Sequence, residues 1–448
     1  MTETYDLILK NGTVANHDGA GPRNIGVRGG KIASLAVPGT ADAAQTIDCT
    51  GLHVVPGVID TQVHFREPGP THKEDLETGA RAAVLGGVTA VFEMPNTSPL
   101  TVTEEAINDK LARAKDRMAC DHAFYVGATH GNPVELAALE TLPGVCGVKI
   151  FMGASTGDLL VEDDEGVREV LRHGRRRVAI HSEDEMMLRA GKALARDGDW
   201  TSHPEVRSAA AALRCTERLL AIAREVKRRI HVLHISTAEE VPLLAANRDI
   251  ATAEVTPQHL TLEAPDCYER LKGLAQMNPP IRDAHHRSGL WTGVQQGLFD
   301  VVGSDHAPHT LEEKSKPYPA SPSGMPGVQT LVPVLLSHVA AGRLSLARFI
   351  DLTSHGANRV FGIAGKGRMA VGYDADFTVI DLTRKRTITH DWSASKSGWT
   401  PFDGFEATGW PIGTIIRGQT VMWDDELVGN PIGEPVRFQE TLASASRS

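Results

Sequence analysis

The feature that most constrains the fold is the position of five polar residues, each at the end of a short apolar run. These residues are His64, Lys149, His181, His234 and Asp305, in or after the runs VVPGVIDTQVH, GVCGVKIFM, RVAIH, IHVLH and FDVVGSD. Side chains at the ends of separate strands can converge only if those strands run parallel. Polar residues gathered at the carboxyl ends of parallel strands are the active-site arrangement of a (β/α)8 barrel.

Eight apolar runs alternate with helix-like stretches in the middle of the chain. They lie near residues 54–60, 88–94, 123–127, 145–151, 177–181, 230–235, 251–255 and 299–304. Eight strand–helix units in about 300 residues are what a TIM barrel requires. An open doubly wound sheet would show the same alternation, but Gly29-Gly30 and Gly86-Gly87 lie in no GxGxxG phosphate loop. We therefore predict an α/β fold of the (β/α)8 TIM-barrel class.

Short alternating runs with turn signals flank the barrel region on both sides. Residues 1–54 contain YDLILKNGTV and NIGVRGGKIASLA, and residues 366–448 contain KGRMAVGYDADFTVIDL and TIIRGQTVMWDDELVG. Alternation interrupted by Asn-Gly and Gly-Gly turns is typical of antiparallel strands. We expect one small β-sandwich domain from residues 1–54 and 366–448, beside a barrel domain at residues 55–365.

Composition excludes several classes of partner. The net charge is −10 and no run of like charges suggests an interaction tail, so we expect no nucleic-acid partner. No apolar stretch approaches 18 residues, and the start MTETYDLILKNG lacks the basic and apolar regions of a signal peptide, so we expect no membrane segment. The five cysteines form no CxxC pair, which favours reduced thiols in the cytoplasm. The expected partner is a small-molecule substrate.

Three further motifs carry a family resemblance. HFREPGPTHKEDLETGARAAVLGGVTAVFEMPNTSP spans residues 64–99, MNPPIR spans 277–282 and GSDHAPH spans 303–309. Together with the five strand-end residues, they resemble the dihydroorotase branch of the amidohydrolase superfamily, with allantoinases and hydantoinases as close relatives. The resemblance spans nearly the whole chain, and it implies a metal-dependent hydrolase that acts on a cyclic amide.

The resemblance also implies a two-metal Zn²⁺ site. Its ligands would be His64, Lys149 and Asp305 at one position (α), and His181, His234 and Lys149 at the other (β). The family signature at the first strand end is His-x-His, whereas this chain has Gln62-Val63-His64. A neutral amide oxygen is a poorer Zn²⁺ ligand than an imidazole nitrogen. We therefore expect one tight metal at the β position and a second, weaker metal at the α position because of Gln62.

Lys149 needs a chemical change before it can bind a cation. In the family this lysine reacts with CO₂ to give a carbamate, whose two oxygens bridge both metals. Only the neutral amine reacts, and the apolar strand GVCGVKIFM favours that form by lowering the lysine pKa. The alternative is a strand-end lysine paired with a nearby acid, and the four companion residues at other strand ends favour the carbamate.

Four residues are implied to bind substrate. By resemblance, Arg66, Asn96 and His309 hold the carboxylate of dihydroorotate, and Asn278 binds the polar edge of its ring. An arginine fork suits a carboxylate because it can bind both oxygens. A salt bridge from Arg66 to Glu67 or Glu74 is the alternative, although Arg66 shares the face of His64 two residues earlier. Allantoin and hydantoin carry no ring carboxylate.

The implied reaction interconverts (S)-dihydroorotate and N-carbamoyl-L-aspartate in de novo pyrimidine biosynthesis. Metal-bound hydroxide would attack the ring carbonyl, with Asp305 as general base and then general acid; a plain helix N-cap is the alternative role for Asp305. An allantoinase or hydantoinase-like amidase is the nearest rival function. A catalytically inactive scaffold for a partner such as aspartate transcarbamoylase is favoured only by Gln62. The resemblance also implies a homo-oligomer, and it allows association with aspartate transcarbamoylase.

Overall fold

The computed structural model describes residues 4–154 and 159–442, and its strands form two sheets. The first five strands lie in a terminal sheet: β1 (Tyr5–Asn16), β2 (Gly19–Arg28), β3 (Lys31–Ser34), β4 (Ala43–Asp48) and β5 (His53–Pro56). The next eight form the barrel: β6 (Val58–Val63), β7 (Val88–Glu93), β8 (Asp121–Gly127), β9 (Val145–Phe151), β10 (Val178–His181), β11 (Ile230–Val232), β12 (Ala251–Val255) and β13 (Val301–Val302). The last four return to the terminal sheet: β14 (Phe377–Thr387), β15 (Glu406–Ile416), β16 (Gln419–Trp423) and β17 (Glu426–Leu427).

The eight barrel strands follow one another in chain order, and every neighbouring pair is parallel. The ring closes where Val63 bridges His306 in parallel and the His64 amide donates to the His306 carbonyl at 2.7 Å. Strands β6 to β9 are buried along their whole length, as expected for strands between a filled barrel interior and an outer layer of helices. The predicted fold class is confirmed.

Helices follow most barrel strands and cover the outside of the ring. They are α1 (Leu76–Leu85), α2 (Glu104–Ala114), α3 (Leu136–Leu139), α4 (Asp164–Arg172), α5 (Glu185–Gly191), α6 (His203–Val206), α7 (Ala209–Val226), α8 (Glu240–Ala245), α9 (Pro257–Thr261), α10 (Asp266–Leu271), α11 (Ala284–Gln295), α12 (Leu311–Lys314), α13 (Leu331–Ala340), α14 (Leu346–Ile350) and α15 (Gly356–Phe361). A π-helical turn, Asp351–His355, joins the last two. Side-chain caps define several starts; Asp75, for example, accepts from the Thr78 amide in a capping box at α1. Within the described residues, no helix combines the length and apolarity needed to cross a membrane.

The terminal sheet joins the two ends of the chain through β5, which pairs in parallel with β1 and antiparallel with β14. The apolar run expected as one strand near 54–60 is divided between the two sheets, because β5 ends at Pro56 and the barrel strand begins at Val58. Gly57 lies at the crossing, where a Cβ atom would collide with the Thr89 side chain. The division into domains at residues 54 and 366 stays a prediction.

Candidate metal centre and substrate pocket

The structure places all five strand-end residues at the carboxyl end of the barrel. Each is at most 7% exposed. His181 ends β10 and Lys149 lies in β9, whereas His64, His234 and Asp305 come one to three residues after their strands. Two pairs are in direct contact: His181 with His234, and His64 with Asp305.

The backbone is constrained at this end of the barrel. Arg66, His234 and Asp305 have φ angles of 62°, 36° and 46°. Residues other than glycine rarely adopt this left-handed region, and such positions persist where the surrounding structure enforces them, often at functional sites. Three of the predicted site residues therefore occupy backbone positions that point to function.

The His181–His234 pair has the geometry of two ligands to one metal ion. His181 donates from Nε2 to Glu183 Oε2 at 2.8 Å, so its Nδ1 carries a lone pair, and this atom lies 3.0 Å from His234 Nε2. Two Zn–N bonds of about 2.0–2.1 Å at a tetrahedral angle place their nitrogens about 3.3 Å apart. Burial lowers the pKa of both histidines and favours the neutral, metal-binding form.

Glu183 binds the ring nitrogen of His181 that does not face His234. Arg207 forms an ion pair with the Glu183 carboxylate that also accepts from His181. Burial alone would raise the pKa of Glu183, but the Arg207 charge and the His181 hydrogen bond outweigh it and hold the pKa well below its usual value. A carboxylate that accepts the second ring N–H fixes the tautomer of a metal-ligating histidine. Sequence analysis did not single out Glu183, although its place two residues after His181 in AIHSED was a readable signal.

The His64–Asp305 pair is built differently. His64 Nε2 lies 3.2 Å from Asp305 Oδ1, and His64 Nδ1 lies 2.7 Å from Asn96 Oδ1. Gln62 donates from Nε2 to the same Asp305 oxygen at 3.0 Å, and its Oε1 is buried with no hydrogen-bond partner among the described residues. Gln62 therefore turns its donor, rather than its oxygen, towards the aspartate. No helix starts at Asp305, which excludes the N-cap alternative.

The Lys149 ammonium position lies over the Phe151 ring, with Nζ 4.4 Å from the ring centroid. Its Nζ is buried and forms no hydrogen bond to any described residue. Burial lowers its pKa to about 7, while Asp305 and Glu254 act in the opposite direction. The charge of Lys149 in turn lowers the pKa of His181 and His234, so all three groups share one electrostatic environment. The alternative of a lysine paired with a nearby acid does not hold in the described residues.

Groups of three histidine or acidic side chains within 4.8 Å also occur elsewhere, on the protein surface. In the part of the chain that the structure describes, they are Glu239 with His285 and His286, and His130 with Glu162 and Asp163. The two buried strand-end pairs are not among these groups: His181 contacts His234 and, through its other ring nitrogen, Glu183, and His64 contacts Asp305.

Arg66 is a buried cation that forms no ion pair with a carboxylate of the described residues. It is 5% exposed, donates from Nε to the Pro308 carbonyl at 3.3 Å and lies 3.4 Å from His309 Nε2 through Nη2. Burial lowers its pKa to about 10, which keeps it charged at neutral pH. The alternative ion pairs do not form, because Glu67 binds Arg117 and Glu74 binds Ser395 and Thr78.

The other predicted pocket residues lie in different settings. His309 is buried beside Arg66, and Asn278 Oδ1 lies 3.1 Å from His203 Nε2. His306 points away from the candidate metal ligands: its Nε2 lies 3.3 Å from Glu74, and its Nδ1 accepts from the Gly327 amide at 3.1 Å.

The segment 310–327 is held in place by one buried lysine. Lys314 donates from Nζ to the carbonyls of Gln276, Pro322 and Gly324 at 3.0, 2.8 and 2.8 Å. Two of these hydrogen bonds join parts of the segment to each other, and the bond to Gln276 joins the segment to the stretch between α10 and α11.

Comparison with known proteins defines the class. The model of the Amidohydrolase family matches residues 53–421, and the chain belongs to this family. It is 35% identical over 442 residues to a dihydroorotase of Methanosarcina acetivorans, covering 95% of this chain and 94% of that protein. It is 33% identical over 455 residues to an allantoinase of Deinococcus radiodurans, covering 97% and 99%. The solved L-hydantoinase (dihydropyrimidinase) from Arthrobacter aurescens superposes with a TM-score of 0.92 at 30% identity, covering 96% of this chain and 99% of that one.

Proposed function

We propose that this hydrolase is a dihydroorotase that interconverts (S)-dihydroorotate and N-carbamoyl-L-aspartate. The observation that carries the proposal is Arg66, a buried cation with no carboxylate partner among the described residues. Burial penalises the Arg66 charge more than the nearby carboxylates of Asp305, Glu93, Glu313 and Glu74 offset it, so an anionic ligand beside this group is favoured. Dihydroorotate brings a ring carboxylate, whereas allantoin and hydantoin do not. The dihydroorotases among the relatives support the same substrate.

Asp305 would move the proton during the reaction. A bound metal ion would supply a water of lowered pKa and polarise the scissile carbonyl. Asp305 Oδ1 accepts from Gln62, which leaves Oδ2 to take the proton of the attacking water and deliver it to the departing ring nitrogen. Asn96 and His309 would add donors beside Arg66 at the carboxylate, and Asn278 would bind the polar edge of the ring.

The residues fit a metal site with two unequal positions. His181, His234 and a carbamate on Lys149 would hold one tight Zn²⁺, since both rings are neutral and converge. The neutral amine needed to form a C–N bond with CO₂ is favoured by the Lys149 pKa of about 7. His64 and Asp305 would share the carbamate with a second metal, bound weakly because Gln62 offers Asp305 a donor instead of offering the metal an oxygen.

The first test is turnover by protein reconstituted with Zn²⁺ and bicarbonate, with the metal content measured on the same sample. We expect turnover of dihydroorotate and little of allantoin or hydantoin, and Arg66→Gln should raise KM for dihydroorotate. An allantoinase or hydantoinase is the second candidate, favoured by the Deinococcus relative and the Arthrobacter structure. Preferred turnover of hydantoin, unaffected by Arg66→Gln, would establish that alternative.

Asp305→Asn tests the catalytic role directly. The variant should keep its β-position metal, because His181 and His234 are unchanged, and lose about 10²–10⁴-fold in kcat, the range for removal of a general base. Near-normal turnover would exclude Asp305 as the proton carrier. A wild-type protein with neither bound metal nor turnover would instead be the inactive scaffold.

The proposal also covers the oligomeric state of the protein and the cell compartment in which it works. All five cysteines are free and buried, which supports a reducing cytoplasm. We expect a homo-oligomer in light-scattering measurements. Association with aspartate transcarbamoylase would be detected by co-purification of the two proteins.

A further inference from the structure

Lys73 contacts His309 at Nδ1, whereas Arg66 lies next to the other ring nitrogen, Nε2. Its Nζ lies 3.0 Å from His309 Nδ1 and 3.0 Å from Glu313 Oε1, and its side chain is only 16% exposed. Lys73 lies in the THKED stretch that follows Arg66, whereas His309 comes from the segment after β13. The contact therefore joins two distant parts of the chain at the edge of the pocket.

The contact fixes which ring nitrogen of His309 carries the proton. An ammonium group has three donors and no lone pair, so His309 Nδ1 must accept from Lys73. The ring proton then resides on Nε2, which donates to the Ser323 carbonyl at 3.0 Å. Arg66 Nη2, 3.4 Å from the same Nε2, cannot donate to a nitrogen that already carries a proton.

The ring is held in its neutral state, so the choice of tautomer matters. Burial and the charges of Arg66, Lys73 and Lys314 lower the pKa of His309 well below its usual value. Glu313 is the acid that faces the ring, with Oε2 3.7 Å from Nδ1, and it is already engaged by Lys73 and by the Thr310 amide.

We propose that Lys73 is a positioning residue, which holds His309 as the Nε2–H tautomer so that the ring presents an N–H edge rather than a lone pair to Arg66, and the guanidinium stays available for the substrate carboxylate. Without Lys73, Nδ1 could take the proton and donate towards Glu313. Nε2 would then present a lone pair, which accepts from Arg66 and diverts that guanidinium from the substrate. This role rests on the proposed function for its substrate, but not for the tautomer itself.

The test compares Lys73→Met with Lys73→Arg, which keeps charged donors at the same place. Lys396→Met is the matched control, because Lys396 forms a 3.0 Å pair with Asp75 but touches no ring. Nitrogen-15 NMR would report the tautomer, with the His309 signals assigned by their loss in His309→Asn. We expect Lys73→Met to lose the Nε2–H tautomer and to raise KM for dihydroorotate about tenfold, with kcat within twofold. Lys73→Arg and Lys396→Met should resemble the wild type.

Two results would overturn the proposal. An unchanged His309 tautomer in Lys73→Met excludes it whatever the kinetics show. If both Lys73 variants showed a lower Tm, a lower kcat and a higher KM to the same extent, Lys73 would be merely structural. Because the NMR measurement needs no substrate, a wild-type protein that does not turn over dihydroorotate would refute the proposed function while leaving the tautomer testable.

Discussion

Two buried lysines, Lys366 and Lys149, differ in their charged partners and in the direction in which their pKa is shifted. Lys366 Nζ lies 2.6, 3.0 and 2.6 Å from carboxylates of Asp121, Asp374 and Asp376, whose charges outweigh burial and raise its pKa. Lys149 has no hydrogen-bond partner among the described residues, and burial lowers its pKa to about 7. The first is a fully compensated charge in the scaffold, whereas the second is an amine left free to react.

Replacing each lysine by methionine should separate these roles most strongly. Lys149→Met should lower kcat by about 10³-fold or more, within the scale for removal of a catalytic group, with no loss of stability because no partner is left uncompensated. Lys366→Met should cost about 3–5 kcal/mol in the free energy of unfolding, since Asp376 loses its ion-pair partner and Asp121 and Asp374 each lose one of theirs. Denaturant unfolding and turnover would be measured on both. Equal losses of unfolding free energy in the two variants would contradict the assignment of only Lys366 to a stabilising role.

A second comparison concerns two glutamates that contact histidines, Glu183 in the candidate metal centre and Glu169 outside it. Glu183→Gln should weaken metal binding about 10–100-fold, the usual effect of losing the carboxylate behind a ligating histidine. Glu169→Gln is the matched control, because Glu169 contacts His173 at 3.0 Å outside the pocket. Competition with a chelator gives both affinities. Equal metal affinities in the two variants would show that Glu183 does not contribute to metal binding.

Gln62→His should remove the difference in affinity between the two metal positions. An imidazole at this place offers a nitrogen ligand, so metal content after dialysis should rise from about one ion per chain to about two. Gln258→His is the control, because Gln258 donates to the Ser304 carbonyl at 2.7 Å and does not contact Asp305. Two ions per wild-type chain would show that Gln62 does not weaken the site.

A scaffold histidine gives the smallest expected effect. His338 accepts from Arg343 at Nδ1 and lies 2.8 Å from Thr261 Oγ1 through Nε2, and burial, followed by the Arg343 charge, lowers its pKa to about 3. Because the folded pKa is below the unfolded value of about 6.5, its stability contribution is complete above about pH 6.5. It is lost as the pH falls towards 3, at about 1.4 kcal/mol per pH unit. His338→Gln should reduce this slope between pH 6 and pH 4 in thermal unfolding. An identical slope would mean that other groups dominate acid unfolding.

The barrel and its polar end could be predicted because each strand is a short apolar run that stops at a polar residue. The first strand was placed imprecisely, since the run VVPGVID passes through Gly57 from one sheet into another without a polar break. The orientation of Gln62 and the contact of Lys73 with His309 could not be predicted, because both depend on distances between segments far apart in sequence. The tethering of segment 310–327 was missed for the same reason, since Lys314 reaches a carbonyl at Gln276.

Strand β5 is synthesised long before the strand β14 that pairs with it in the folded protein. Its antiparallel partner β14 follows after about 320 residues of barrel, so one edge of β5 lacks its final neighbour while a ribosome makes that segment. At about 5–20 residues per second, the wait lasts roughly 16–64 seconds. During this time the edge carries unpaired backbone groups that can bind another strand. A nascent chain of this protein therefore needs protection at an edge that the finished molecule no longer exposes.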